Sequence, residues 1–382
     1  MRRQAIPLLA GCVCLLAQAR TWGQTRQYFR ILGTNPTAIT RIEASGFVTW
    51  SNATPGVTCI VEVASSLTES NAWRPYVQIP VTATVMRARL FDLHPPQGMS
   101  LVPAGCFQMG DSMDPPDSNE SELPVHTVYM NEFYMDQCGV TKEQWDDVCH
   151  WATNRPTDLA YQFDNAGTST GPNHPVTTVS WYDIVKWCNA RSEKEGLTPA
   201  YYTSADMSNA YRTGWVDVSN DWVAWKSDGY RIPTEAEQEK AARGGLIGRR
   251  FPLGDTISYF EANFMSFGES YDTSPARGSN PMYPVGSAPV GSYPPNGYGL
   301  YDMAGNGLQW NWDWYDYGWY TNAAATQTDT PGPPSGTYRM ARGGCWARGA
   351  WYIRCSCRVG LGGLSPNAAD VYYGFRCVRC VP

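Results

Sequence analysis

Between Gly297 and Trp314 the chain reads GYGLYDMAGNGLQWNWDW, and no single regular element suits all of it. Glycines and small residues crowd among aromatics with neither a period of 2 nor one of 3.6, which excludes a long amphipathic helix. Glycine at that density admits turns closed to other residues. The expectation is an irregular loop pinned by buried tryptophans, with backbone carbonyls free to bind. Three phrases share its character: RIPTEAEQEKAARGG (Arg231–Gly245), ARGGCW (Ala341–Trp346) and YGFRCVR (Tyr373–Arg379).

With 382 residues the chain is long enough for two domains. Its 36 Gly, 28 Pro, 16 Trp and 23 Tyr predict a loop-rich fold whose core is filled by large rings. Only 17% of residues are charged and the net charge is −6, which argues against nucleic acid, since phosphate contacts need clustered Lys and Arg. Arg2 and Arg3, an apolar run from Ile6 to Ala17 and the small-x-small triplet Ala17-Gln18-Ala19 read as a secretory leader over 1–19. A rival is the lipoprotein-like Leu9-Ala10-Gly11-Cys12, which would anchor the chain at Cys12; the apolar run continues past it through Leu15 and Leu16 and favours simple cleavage. No later window offers the ~20 apolar residues of a membrane span. An exported protein follows, periplasmic, surface-bound or secreted, whose cysteines are disulfide candidates.

Residues 20–96 read as a small all-β, sandwich-like domain. Phe47–Trp50, Cys59–Val63 and Met86–Phe91 are short β-rich runs, separated by turn clusters such as Thr54-Pro55-Gly56. No catalytic constellation falls there, which suits a spacer or adhesion module. His94–Gly98 reads as a linker to a second domain over 97–382. There a strand pair is expected around Val125–Tyr134, and three helices follow. Thr141 caps the first, Ser180 and Asp183 box the second, and Thr234 caps the third, which Gly244-Gly245 ends.

The four phrases, in this order, resemble the formylglycine-generating enzyme (sulfatase-modifying factor) family over about Met99–Val381. The resemblance implies an α+β, loop-rich fold, a variant of the C-type-lectin type. The family enzyme oxidises a sulfatase cysteine to formylglycine using oxygen and a copper ion held by two cysteines, and the fold carries two structural calcium ions. Aligned without gaps after Arg342-Gly343-Gly344-Cys345-Trp346, the two copper cysteines fall on Arg348 and Ile353. Neither supplies the soft thiolate that Cu(I) needs, so copper is not expected. A shifted pair, Cys355 and Cys357, would share one face if it lay on a strand; a structural disulfide or two buried thiols is the alternative reading. The sulfoxide synthases of this fold use a histidine triad, and the four histidines here, His94, His126, His150 and His174, are scattered.

For calcium, the resemblance carries one site to Asp302, the carbonyls of Gly305 and Gly307, and Gln309 in place of the family glutamate. The other falls on Asn263, the Phe264 carbonyl and Asp272. Oxygen donors at close spacing suit Ca²⁺, but glutamine removes a charge and leaves one amide oxygen; these residues equally suit hydrogen bonds to loop backbone. Cys188 and Cys377 occupy family positions that form a disulfide. The family's second bridge is missing, with Ala242 and Arg358 at its positions, while Cys138 and Cys149 remain open to pairing and Cys59 has no partner in its own domain.

The favoured reading is a non-catalytic exported module binding a glycan, peptide or protein, with Trp319, Tyr320 and Trp351 as contact candidates, although most such rings are expected in the core. The alternatives are a formylglycine-generating oxidase working through displaced cysteines, and a structural envelope or surface protein.

Overall fold

The computed structural model describes residues 27–35, 37–65, 73–113, 117, 120–358 and 363–381. The leader at 1–19 and the alternative anchor at Cys12 lie outside these residues.

The chain opens with β1 (Tyr28–Leu32), β2 (Ala38–Ile42), β3 (Phe47–Ser51), β4 (Thr58–Ala64), β5 (Arg74–Pro80) and β6 (Met86–Arg89). Past the linker come β7 (Met99–Val102), β8 (Gly105–Met109), β9 (His126–Met130) and β10 (Phe133–Asp136). Helices α1 (Lys142–Thr153), α2 (Trp181–Lys194) and α3 (Glu235–Arg243) are followed by β11 (Met265–Ser266) and β12 (Gly278–Ser279). The chain closes with β13 (Leu308–Trp314), β14 (Arg339–Arg342), β15 (Tyr373–Gly374) and β16 (Val378–Cys380). Long irregular stretches between few elements make the α+β, loop-rich architecture that the sequence implies.

β2, β3 and β6 form one antiparallel sheet. β1, β4 and β5 begin a second, which continues through β8 and β9 to five strands, Gln78 standing opposite Cys106 at the junction. The parts before and after the linker therefore share a sheet. They also share a core: the Tyr76 and Tyr298 rings meet edge-on at 5.3 Å, and Tyr298 Oη donates to the Tyr76 carbonyl at 2.7 Å. Gly245 presses against the same stretch with φ +87, where a Cβ would sit 2.4 Å from the Tyr76 carbonyl oxygen. The strand pair expected around Val125–Tyr134 is not a hairpin. β9 pairs with β8, whereas β10 joins β7 and β16 in another sheet.

All three helices carry complete capping boxes. Thr141, Ser180 and Thr234 each accept from the backbone N–H three residues on, and Gln144, Asp183 and Glu237 return the bond. Gly244 ends α3 in the left-handed region at φ +55.

The Gly297–Trp314 stretch splits in two. Its first half is the expected loop, with Asp302 and Asn306 at φ +52 and +65. Its second half is β13, between β14 and β15, buried at every position. A strand covered on both faces has no polar alternation to display, so periodicity could not announce it.

Candidate functional site

The site begins where β14 ends. Gly343 and Gly344, at φ +88 and +65, swing the chain back so tightly that a Cβ on Gly344 would lie 2.6 Å from the Ile353 side chain. The returning segment forms a 3-10 turn over Ala350–Ile353. Arg348 is exposed, its guanidinium 5.5 Å from the Tyr352 ring centre. Ile353 is fully enclosed in an apolar cluster with Phe251, Ile257, Phe264 and Ala350. A solvated cation and a buried alkyl group thus stand at the two positions where the resemblance places copper thiolates.

Cys355 and Cys357 follow, and they do not lie on a strand: Cys355 sits in a turn and Cys357 just beyond it. The common face that a strand would give their side chains is therefore not formed. Both are buried, and among the described residues no hydrogen bond joins their sulfurs. Burial pushes each thiol up to about 12, far from the thiolate a copper ion requires.

Around them runs a closed ionic network. Arg342 Nη2 lies 2.7 Å from Glu235 and 3.0 Å from Glu239, and Arg358 Nε lies 2.7 Å from Glu235. Arg243 meets Glu239 at 2.7 Å, and Arg354 meets Glu122 at 2.9 Å. Burial opposes ionisation of Glu235, but the Arg358 and Arg342 guanidiniums outweigh it and hold its carboxyl below the usual range. Tyr320 closes the network, accepting from Arg342 Nη2 at 2.6 Å. Sequence reading missed this cluster. Only Glu235 and Glu239, one turn apart on α3, gave a local sign of it.

The calcium candidates are partly assembled. Asn263 bridges Gly305, and its carbonyl accepts from the Asn306 N–H at 2.8 Å. Asp302 Oδ2 accepts from the Gly291 N–H at 2.8 Å. Asp302 Oδ1, Asn263 Oδ1 and Asp272 Oδ2 are buried with no hydrogen-bond donor, which fits a cation at either place. Gln309 does not fit: its Oε1 already accepts from Arg376 Nε at 2.7 Å and Gln238 Nε2 at 2.9 Å, while its Nε2 donates to the Asp302 carbonyl. The Gly305 carbonyl accepts from the Gly307 N–H at 2.8 Å, and Phe264 lies wholly buried beside Asn263. Among the described residues no cluster of three His, Cys, Asp or Glu side chains is positioned around a metal.

A family profile described as a sulfatase-modifying factor enzyme 1-like domain matches residues 88–381. The chain belongs to this sulfatase-modifying factor family. The formylglycine-generating enzyme of Bos taurus is 31% identical over 74% of this chain and 75% of its own length. The serine/threonine-protein kinase pkn1 of Chlamydia pneumoniae is 31% identical over 74% of this chain, which spans only 38% of that protein. Among solved structures, Treponema denticola variable protein 1 superposes with a TM-score of 0.54 at 28% identity, covering 74% of this chain and 95% of that one.

Within this family member, Cys188 on α2 and Cys377 before β16 are brought together. Their Sγ atoms lie 3.8 Å apart as free thiols, both fully buried. Cys138 and Cys149 are free as well. Of the aromatic contact candidates, Trp319 and Tyr320 are core residues, packed with Phe107, Val128 and Ala236. Trp351 is half-buried, its indole N–H donating to the Asp117 carbonyl at 2.7 Å. Trp215 is the most exposed indole among the described residues, at 60%, and the sequence reading did not single it out. Among the described residues no helix is long and apolar enough to cross a membrane.

Proposed function

We propose that this family member is an exported, non-catalytic binding module that keeps the scaffold and lacks the copper chemistry. The observation that carries the reading is the exposure of Arg348 and the burial of Ile353, the two residues on which the ungapped resemblance places the copper cysteines. The nearest replacements support it. Cys355 and Cys357 are sealed among ion pairs, with thiols held protonated by burial, and a nucleophilic or metal-binding cysteine needs accessible thiolate. Export rests on the leader-like 1–19 segment, and a Cys188–Cys377 disulfide would form in that compartment.

Ca²⁺ would be held by Asp302 at one place and by Asn263, Asp272 and the Phe264 carbonyl at the other. Its part would be structural, since each of the three side chains carries a buried acceptor atom without a donor. The ligand class is a peptide, protein or glycan surface.

The test is incubation of the copper-supplied protein with a cysteine-containing sulfatase peptide under air, with hydrazide capture of any aldehyde. No capture is expected. Turnover that disappears in both Cys355→Ser and Cys357→Ser would replace this reading with a displaced-cysteine oxidase.

A further inference from the structure

Trp215 is 60% exposed, yet it is held rigidly. Its indole N–H donates to Asp164 Oδ2 at 2.8 Å, and one face stacks on Tyr182 at 5.9 Å between ring centres with the planes 3° apart. The turn that presents it is pinned from beneath. Tyr211 Oη donates to the Gly214 carbonyl at 2.7 Å and accepts from the Val216 N–H at 3.1 Å. A large aromatic fixed in this way, with its second face in water, is ready for contact at little further entropic cost.

The charges around it have one sign in excess. Asp164 and Asp217 are exposed at its margin, and Asp217 Oδ1 accepts from the Tyr182 hydroxyl at 2.7 Å. Asp183 is buried below. Lys186 is shared between Asp164 at 3.4 Å and Asp183 at 3.9 Å. The other nearby cation, Arg339, is enclosed between the Trp181 and Trp314 rings at 3.8 and 3.4 Å and is turned away from solvent. Three carboxylates therefore face two enclosed cations, and the excess charge at the solvent side is negative.

This chain commonly places its own arginine over its half-exposed tryptophans. Arg30 covers Trp73, Arg155 covers Trp151 and Arg354 covers Trp351, each at 4.6 Å. Among the described residues no guanidinium of the chain lies over Trp215, where both the ring face and the carboxylates would favour one. We infer that the Trp215 face, flanked by Asp164 and Asp217, is a docking site for an arginine or lysine side chain of a basic polypeptide partner. The inference rests on the binding-module reading and names its partner class. A guanidinium over the indole would take part of its stabilisation from the ring and part from the two carboxylates, so binding must weaken with salt.

The probe is N-acetyl tetra-arginine amide, titrated into the full chain while the Trp215 indole N–H resonance, assigned by its loss in Trp215→Phe, is followed by NMR. The resonance is expected to move saturably at low ionic strength. Trp215→Ala, which lacks that resonance and is titrated by calorimetry beside the unsubstituted protein, should weaken binding about three- to fivefold, the range of an exposed cation–π contact, and Asp217→Asn and added salt should weaken it as well. The same peptide with citrulline in place of arginine should leave the resonance unmoved. Unchanged tetra-arginine affinity in Trp215→Ala, or equal response to the citrulline peptide, would overturn the inference. A salt-insensitive shift produced by maltohexaose instead would also overturn it, assigning the platform to saccharide while the binding-module reading stands. Aldehyde formation in the oxidase assay would defeat that reading by itself, without touching the indole measurement.

Discussion

The side-chain oxygen of Gln309 accepts a hydrogen bond from Nε of Arg376 at 2.7 Å, so the atom that would face a calcium ion is turned to a guanidinium. Asp302, one bond away through the Gln309 amide, is left with a buried, donorless Oδ1. The sign of one substitution reports what occupies that place. With Ca²⁺ bound, Asp302→Asn should lower the melting temperature in calcium and abolish the difference between calcium and EGTA, since a ligand stabilises only the state that binds it. An equal melting temperature for the unsubstituted protein in calcium and in EGTA would show that no ion is held there.

Arg342 joins Glu235 and Glu239 in a setting closed to water. Its replacement by Met should leave two buried carboxylates competing for Arg358 and Arg243. The expected cost is about 3–5 kcal/mol, the usual penalty for removing one partner of a buried ion pair. Urea unfolding measures it, and a loss below about 1 kcal/mol would show that the network reorganises.

Lys240 on α3 is buried and donates to the carbonyls of Pro103, Gly105 and Met130 at the sheet junction. Burial drives its ammonium from the usual 10.5 down to about 7, with Cys106, Asp329, Glu237 and Glu132 acting weakly the other way. Between these values the unfolded chain binds a proton that the folded chain does not. Stability should therefore rise with pH across about pH 7–10 relative to Lys240→Met, by at most about 1.4 kcal/mol per pH unit. Parallel pH profiles of the two proteins, from chemical unfolding, would sink the prediction.

Cys188 and Cys377 should cross-link on air oxidation, giving one joined peptide pair in a non-reducing digest. In the chain-entropy model closing so long a loop adds about 4–5 kcal/mol, less in practice. Cys188→Ser should remove that gain in oxidised protein and change reduced protein much less. A digest joining either cysteine to a third would refute the pairing.

Much of the scaffold could be read without coordinates, for local reasons. Thr141, Ser180 and Thr234 announce helix starts because a cap and its answering side chain are three residues apart. The failures were of another kind. Trp319 and Tyr320, offered as contact candidates among rings expected mostly in the core, are core, because Phe107, Val128 and Ala236 cover them from distant parts of the chain. Cys355 and Cys357 would share a face only on a strand, and they lie in and beside a turn as buried free thiols, the alternative that their spacing also left open.

By itself the sequence determined which atoms are present: no sulfur at 348 or 353, an amide in place of a carboxylate at 309, a glycine wherever the backbone enters the left-handed region at the end of α3. These follow residue by residue. Only the tertiary structure decided which thiols meet, which rings water reaches and where the oxygen of Gln309 points. Burial and pairing belong to neighbours, and those neighbours lie as far apart along the chain as Cys188 and Cys377, which no local pattern can register.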